Sequence, residues 1–331
     1  MNFVKYYNHA PASLRRHLIQ QLSLNENYHN FVDEVADKNP VVLSQLRNDA
    51  NTCLRSVKGS FPKLRSIDDD LFQRLSDVFK TENLEIVPVT WDSPCSIVER
   101  ISSLEAVLPT RSWLDVKRRL GSYRRVNVLV HKKLRQNPLI VIYGILMDHI
   151  ASSLQSIRDV PHDAIIEDLN DLNTLIFYSI SKLQTGLNSI PLGSIIISKV
   201  AQSIRQSYPQ VDTFSTFSPI PGFQTWFEQN IHDLPSRIVN AQRLVDEDDV
   251  LYLSKILDLP WDKQMQFVVD HSDVFSRICA YYLCEEKRNG VPLDAVANFH
   301  LKNGSTLWRI LPGGNLTLSG KRSFGITVNY R

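Results

Sequence analysis

The sequence predicts an α+β chain: a helical bundle over residues 1–85, then a strand-bearing α/β domain over residues 86–331. Three observations predict it. Apolar residues recur at helical spacing as far as Phe79 and then give way to short runs rich in Val, Ile, Leu and Phe. The segment from TLIFYSIS (174–181) to VDTFSTFS (211–218) reads as strand, glycine-bearing loop, amphipathic helix and strand, a βαβ crossover. With 331 residues and 43% apolar composition, the chain can fill a sizeable core.

The first helix is expected after Pro11, where Leu14, Leu18, Ile19 and Leu22 can share a face and proline suits a helix start. MNFVKYYNHAPASLRRHLIQQ also lacks acidic residues and carries Lys5, Arg15 and Arg16, the composition of a mitochondrial presequence, but the apolar face favours a core helix. Val42, Leu43, Leu46, Ala50, Cys53, Leu54 and Val57 repeat the period, and Leu71, Phe72, Leu75, Val78 and Phe79 do so again. These helices make the bundle. The texture changes after NLEIVPVTW (83–91), and strands are expected at RVNVLVH (125–131), PLIVIYGIL (138–146) and TLIFYSIS.

In the crossover, Ile195, Ile196, Val200 and Ile204 should face inward from the helix that joins two parallel strands. Both strands then end at one edge of the sheet, where ligands of open α/β sheets bind, so Ser179, Ser181 and Ser218 are expected at a common cleft. Pro219 and Pro221 should end ladder pairing and hold the backbone after Ser218 in one shape; Gly222 then permits a tight turn or the close approach of a ligand. The loop KLQTGLNSIPLG (182–193) leads into a helix whose free amides and dipole can hold a phosphate or pyrophosphate.

Composition excludes several classes. The 37 Lys+Arg and 35 Asp+Glu leave +2, which makes no case for nucleic acid or an anionic membrane. Cys53, Cys95, Cys279 and Cys284 have neither disulfide-framework nor zinc spacing and are read as core thiols of a reducing compartment. No apolar run approaches the ~20 residues that span a bilayer. His271, near Asp270 and Asp273, lacks a metal motif.

Four blocks carry a family resemblance: LIFYSISKLQTGLNSIPLGSIIISKV, TFSPIPGF with Trp226 behind it, CAYYLCEEKRNGVPLDAVANFHLKNGSTLWRI, and VNYR. In order and spacing they resemble the malonyl-CoA decarboxylase family. TWDSPCSIVERISSLEAVLPTRSWLDVKRRLGSYRR (90–125) and FVKYYNH extend the likeness over nearly the whole chain. The resemblance implies a mixed-sheet catalytic domain of the acetyltransferase (GNAT-like) fold behind the helical bundle. It implies decarboxylation of malonyl-CoA to acetyl-CoA and CO2, within fatty acid metabolism. Its catalytic serine falls on Ser218, its catalytic histidine on His300 and a supporting serine on Ser179. Its CoA-contacting loop falls on Asn188, Ser189, Ile190, Pro191, Leu192, Gly193 and Ser194.

No cofactor and no metal is expected, because the thioester itself accepts the electrons released with CO2, and CoA is part of the substrate. An imidazole with an ordinary near-neutral pKa suits delivery of the proton. A Ser/His acyl-enzyme hydrolase would need a nucleophile elbow, and no GxSxG occurs. Lys117, Arg118, Arg119, Arg124 and Arg125 form either a solvated face or a CoA or subunit contact. The family implies a homo-oligomer, dimer or tetramer, with no nucleic-acid or membrane partner. Cytoplasm is the default compartment; mitochondrion and peroxisome are open from the family, although a likeness beginning at Phe3 leaves no room for a leader.

The chain departs from the family pattern at Ser189, where a glycine is usual, at Pro191, where an acidic residue is frequent, and at Asn315 in LPGGN, where Asp is expected. It also stops at Asn329-Tyr330-Arg331, where relatives continue. The alternative functions are therefore a catalytically impaired CoA-binding regulatory or scaffold protein, and a GNAT-type acyltransferase.

Overall fold

Helical periodicity governs the first eighty residues of the structure, a computed structural model that describes residues 7, 9–22, 28–56, 62–105, 107, 109–110, 112–239 and 242–331. Val57, most of FVKYYNH, and Ala106, Leu108 and Arg111 of the 90–125 block lie outside the described residues. The helices of this region include α1 (Ala12–Leu22), α2 (Tyr28–Lys38), α3 (Pro40–Ser56) and α4 (Pro62–Val78). Helix α3 packs against the other three, burying Val42, Leu43, Leu46, Ala50 and Cys53. Ile19, Leu71, Leu75 and Phe79 are buried too, whereas Leu54, Phe72 and Val78 are only half-buried. Helix α2 has no counterpart in the sequence reading. It buries Tyr28, Val32 and Val35, which with Phe31 and Ala36 keep a helical period that the sequence reading passed over.

The next elements are β1 (Leu84–Val89), α5 (Cys95–Ser103), α6 (Trp113–Arg119), β2 (Arg124–His131), β3 (Ile140–Met147), α7 (Leu154–Asp159), β4 (Thr174–Lys182), α8 (Leu192–Ser207) and β5 (Thr213–Thr216). The five strands are hydrogen-bonded in sequence order, β1-β2-β3-β4-β5. β1 and β2 are antiparallel, from Leu84↔His131 to Val89↔Val126. β4 and β5 are parallel, from Thr174↔Thr213 to Phe177↔Thr216, so the sheet is mixed and α8 is the expected crossover. Every residue of β3 is buried, as a central strand covered on both faces requires. In α8, Ile196, Val200 and Ile204 are buried; Ile195, expected inward, is half-buried.

The rest comprises β6 (Ser218–Pro219), α9 (Phe223–Asn230), β7 (Ile238–Val239), β8 (Gln242–Arg243), α10 (Glu247–Ser254), α11 (Trp261–Asp270), α12 (Ser272–Cys284), β9 (Lys287–Arg288), β10 (Val291–Pro292), α13 (Ala295–Lys302), β11 (Leu307–Leu311) and β12 (Thr327–Tyr330). A second sheet has the order β11-β12-β6. Phe223, Trp226, Phe227, Phe275, Tyr282 and Phe324 form an aromatic core beside it.

By contact the chain divides into two compact units. The first holds Met1–Thr110, Val126–Ile142 and Ile180–Gln202; the second holds Arg111–Arg125, Tyr143–Ser179 and Ser203–Arg331. Within the second unit, Arg124 donates to the carbonyls of Ser122, Ile157, Val160 and Pro161. Arg125 pairs with Glu167 at 3.0 Å and reaches the Tyr208 hydroxyl at 3.0 Å. Both arginines fix neighbouring loops and are half-buried, so they do not form a solvated face. The core-thiol reading holds for the buried Cys53 and Cys279. It fails for Cys95 and Cys284, which are exposed, the first at the start of α5 and the second at the end of α12. Among the described residues no helix is long and apolar enough to cross a membrane.

Candidate active site

Ser218 sits where the chain changes sheets. The β5 ladder to β4 ends as the Phe217 amide donates to the Phe177 carbonyl at 2.8 Å. Ser218 and Pro219 then pair antiparallel with β12, opposite Val328 and Thr327. The prolines were expected to end ladder pairing: the ladder to β4 stops before Pro219, and the one to β12 stops at it. Pro219 lacks a donor but keeps its carbonyl, so it can still take part in a two-residue ladder.

Ser218 is 5% exposed, and its Oγ lies 2.9 Å from Thr216 Oγ1 and 3.3 Å from His300 Nε2. Thr216 precedes it by two residues on the same strand face, and Thr216 Oγ1 also accepts the Tyr330 amide at 3.1 Å. His300, 7% exposed, occupies the last turn of α13. That helix starts on Asp294, whose Oδ1 accepts the amides of Val296 and Ala297 at 2.9 Å each. The imidazole stacks on the Tyr330 ring, with centroids 4.3 Å apart and planes at 19°.

The C-terminal strand is sewn into this place. Asn329 donates to the carbonyls of Thr216 at 2.7 Å and Ala151 at 3.2 Å, and accepts from Arg309 through Oδ1. Ser215 Oγ donates to the Tyr330 carbonyl at 2.9 Å. The block VNYR thus walls the imidazole, a role that Tyr330, thirty residues beyond His300, gives no local sign of. Thr216 could have been found from strand alternation alone.

Burial pushes the His300 pKa down to about 4. The resting imidazole is therefore neutral, which corrects the expectation of an ordinary near-neutral value. The same desolvation pushes up the Asp294 carboxyl and the phenols of Tyr282 and Tyr330.

Gly222 has an ordinary φ of −96°, so space and not conformation requires it: a Cβ there would lie 2.4 Å from the Tyr282 hydroxyl. The close approach expected of a ligand is made by this side chain. Ser179 is buried on β4, two residues past Phe177, the last to pair with β5. Ser181, expected beside it at a cleft, gives its hydroxyl to Glu105 Oε1 at 2.9 Å.

In the crossover loop, Leu187, Ile190, Leu192 and Gly193 are buried anchors, while Asn188, Ser189 and Pro191 are exposed and Ser194 is half-buried. Ser189 has φ +71°, the left-handed region that favours glycine. A serine in that region costs roughly 1–2 kcal/mol. Pro191 directly precedes α8, where its fixed φ suits a helix start. Asn315, the third departure, organises a turn: its Oδ1 accepts from the Thr317 amide at 3.1 Å and hydroxyl at 2.7 Å, as an aspartate would. No group of three or more His, Cys, Asp or Glu among the described residues could hold a metal.

Fold and pair define the class: an α+β protein with a buried serine and imidazole where two sheets exchange a strand. Residues 83–331 match the model of the malonyl-CoA decarboxylase C-terminal domain. The chain belongs to the malonyl-CoA decarboxylase family. It is 36% identical over 302 residues to the mitochondrial malonyl-CoA decarboxylase of Anser anser anser, covering 87% of this chain and 60% of that protein. It is 33% identical over 305 residues to the enzyme of that name from Rattus norvegicus, covering 87% and 61%. The chain thus spans about 60% of the length of these curated relatives. Among solved structures, malonyl-CoA decarboxylase from Cupriavidus metallidurans matches with a TM-score of 0.74 at 26% identity, over 99% of this chain and 85% of that one. The protein from Rhodopseudomonas palustris matches at 0.74 and 29%, over 96% and 72%.

Proposed function

We propose that the chain converts malonyl-CoA to acetyl-CoA and CO2 without a cofactor. The observation that carries this reading is the 3.3 Å approach of Ser218 Oγ to His300 Nε2 in a chain of this family. Cleavage of the bond between the α-carbon and the carboxylate releases CO2 and leaves its electron pair on the α-carbon, delocalised as an enolate onto the thioester oxygen. One proton must then reach the α-carbon. The malonyl carboxylate, brought against the neutral imidazole, favours its protonation, so substrate binding supplies what burial withholds. The imidazolium gives this proton to the α-carbon and recovers one from water. Ser218, oriented by Thr216, assists by hydrogen bonding to the developing oxyanion. Ser179 supports the acyl end.

The loop from Asn188 to Ser194 receives the CoA phosphates. The Gly193 and Ser194 amides lie in the first turn of α8, whose positive end favours an anion, while the Leu192 amide is already given to the Ile190 carbonyl at 2.8 Å. Lys182 at the end of β4, with Nζ 3.4 Å from Asn188 Oδ1, adds a cation there. A homo-oligomer assembled through the helical region completes the proposal.

The test incubates the protein with malonyl-CoA and follows acetyl-CoA and CO2 together, alongside Ser218→Ala and His300→Ala. Equal release of both products by the wild type, lost in both variants, is the expected result. Binding of CoA with no CO2 released would contradict the activity.

A further inference from the structure

The crossover loop is held from the helical bundle, by contacts that lie within one compact unit. Arg47 on α3 is 7% exposed, and its Nη1 donates to the carbonyls of Gly186 at 3.1 Å and Asn188 at 2.6 Å. Its Nε is paired with Asp68 Oδ1 on α4 at 3.0 Å, and Asn51 Nδ2 holds that same oxygen at 2.8 Å. The guanidinium also lies over the Phe72 ring, 4.9 Å from its centroid. A charged group fixed on three sides in this way has one orientation, and it hands that orientation to the loop. Gly186 confirms how close the two segments run: a Cβ there would stand 1.8 Å from the Ser44 carbonyl oxygen of α3, at a φ of +77°.

The consequence follows from peptide geometry. In a trans peptide the carbonyl and the next residue's N–H point to opposite edges. Turning the Asn188 carbonyl toward Arg47 therefore turns the Ser189 amide away from α3, and the Gly186 carbonyl does the same for the Leu187 amide. Ser189 needs that support, since its left-handed φ is disfavoured for serine.

We propose that Arg47 is a positioning residue for the phosphate-bearing half of the substrate: it fixes the peptide planes of Gly186 and Asn188, so that the bundle sets CoA affinity while the Ser218–His300 pair sets turnover. This rests on the reading of residues 188–194 as the CoA site. Lysine cannot replace it, because one ammonium cannot bond Asp68 and both carbonyls in a fixed fork.

The experiment compares malonyl-CoA with malonyl-pantetheine, which carries the same thioester and no phosphates, in wild type, Arg47→Ala and Arg47→Lys. The expected result is a fall of about tenfold in the kcat/KM ratio of malonyl-CoA to malonyl-pantetheine for Arg47→Ala, the size of a lost charge-assisted hydrogen bond. A severalfold fall is expected for Arg47→Lys. The loss should appear in KM, with kcat within about twofold, and as an equal weakening of CoA itself in calorimetry. If Arg47→Ala does not fold, the lysine variant decides. An unchanged ratio in a folded variant, with the wild type preferring malonyl-CoA, overturns the inference alone. A wild type indifferent to the phosphates overturns the CoA reading of the loop and the inference with it.

Discussion

Around Ser189 the chain offers exposed backbone, with Asn188, Ser189 and Pro191 in solvent and a lysine nearby. Around Ser218 a hydroxyl and an imidazole are each less than a tenth exposed, and burial keeps the imidazole uncharged. Under the proposed function the two regions answer different physical demands. Phosphates carry permanent charge and are best met by amides that were never desolvated. A proton to be delivered on demand is best controlled where water is excluded and the substrate's own carboxylate decides the charge state. Binding and chemistry should therefore separate cleanly under mutation.

The largest effect is expected at the buried pair: His300→Ala and Ser218→Ala should each lower kcat by about 10³-fold, the scale of general acid–base catalysis, with CoA affinity unchanged by calorimetry. Parallel loss of CoA affinity would break the separation. The pH dependence of stability should follow the same residue. The unfolded chain binds a proton at the ordinary histidine pKa of 6.5, whereas folded His300 takes one up only near 4. Its contribution is complete above about 6.5 and falls away as the pH drops toward 4, by up to about 3 kcal/mol. Urea unfolding midpoints at several pH values should show that slope, and His300→Gln should flatten it.

Thr216→Val, which keeps the shape of the side chain and removes the hydroxyl beside Ser218, should lower kcat by about tenfold with KM for malonyl-CoA unchanged. The smallest effect belongs to the exposed loop. Ser189→Gly should stabilise the protein by about 1 kcal/mol, seen as a higher melting temperature, because glycine occupies positive φ without strain.

The comparison also explains what could be read from the chain beforehand. The crossover declared itself because the apolar period switches from strand to helix and back between Thr174 and Thr216. Ser218 and His300, 82 residues apart in sequence, were joined only through family-like blocks around each. Arg47 meets the loop across 139 and 141 residues and left no local pattern, as did the stacking of Tyr330 on His300. Arg124 and Arg125 misled for the opposite reason. A run of basic residues resembles a solvated face, and only the folded chain reveals carbonyls and a glutamate converging on them.

The most direct test of the division between handle and chemistry is a paired measurement on His300→Ala: release of CO2 from malonyl-CoA, and the dissociation constant of CoA in the same preparation. CO2 release at about a thousandth of the wild-type rate, with the dissociation constant within about twofold, is the expected outcome. Decarboxylation near the wild-type rate would contradict the role given to the buried imidazole.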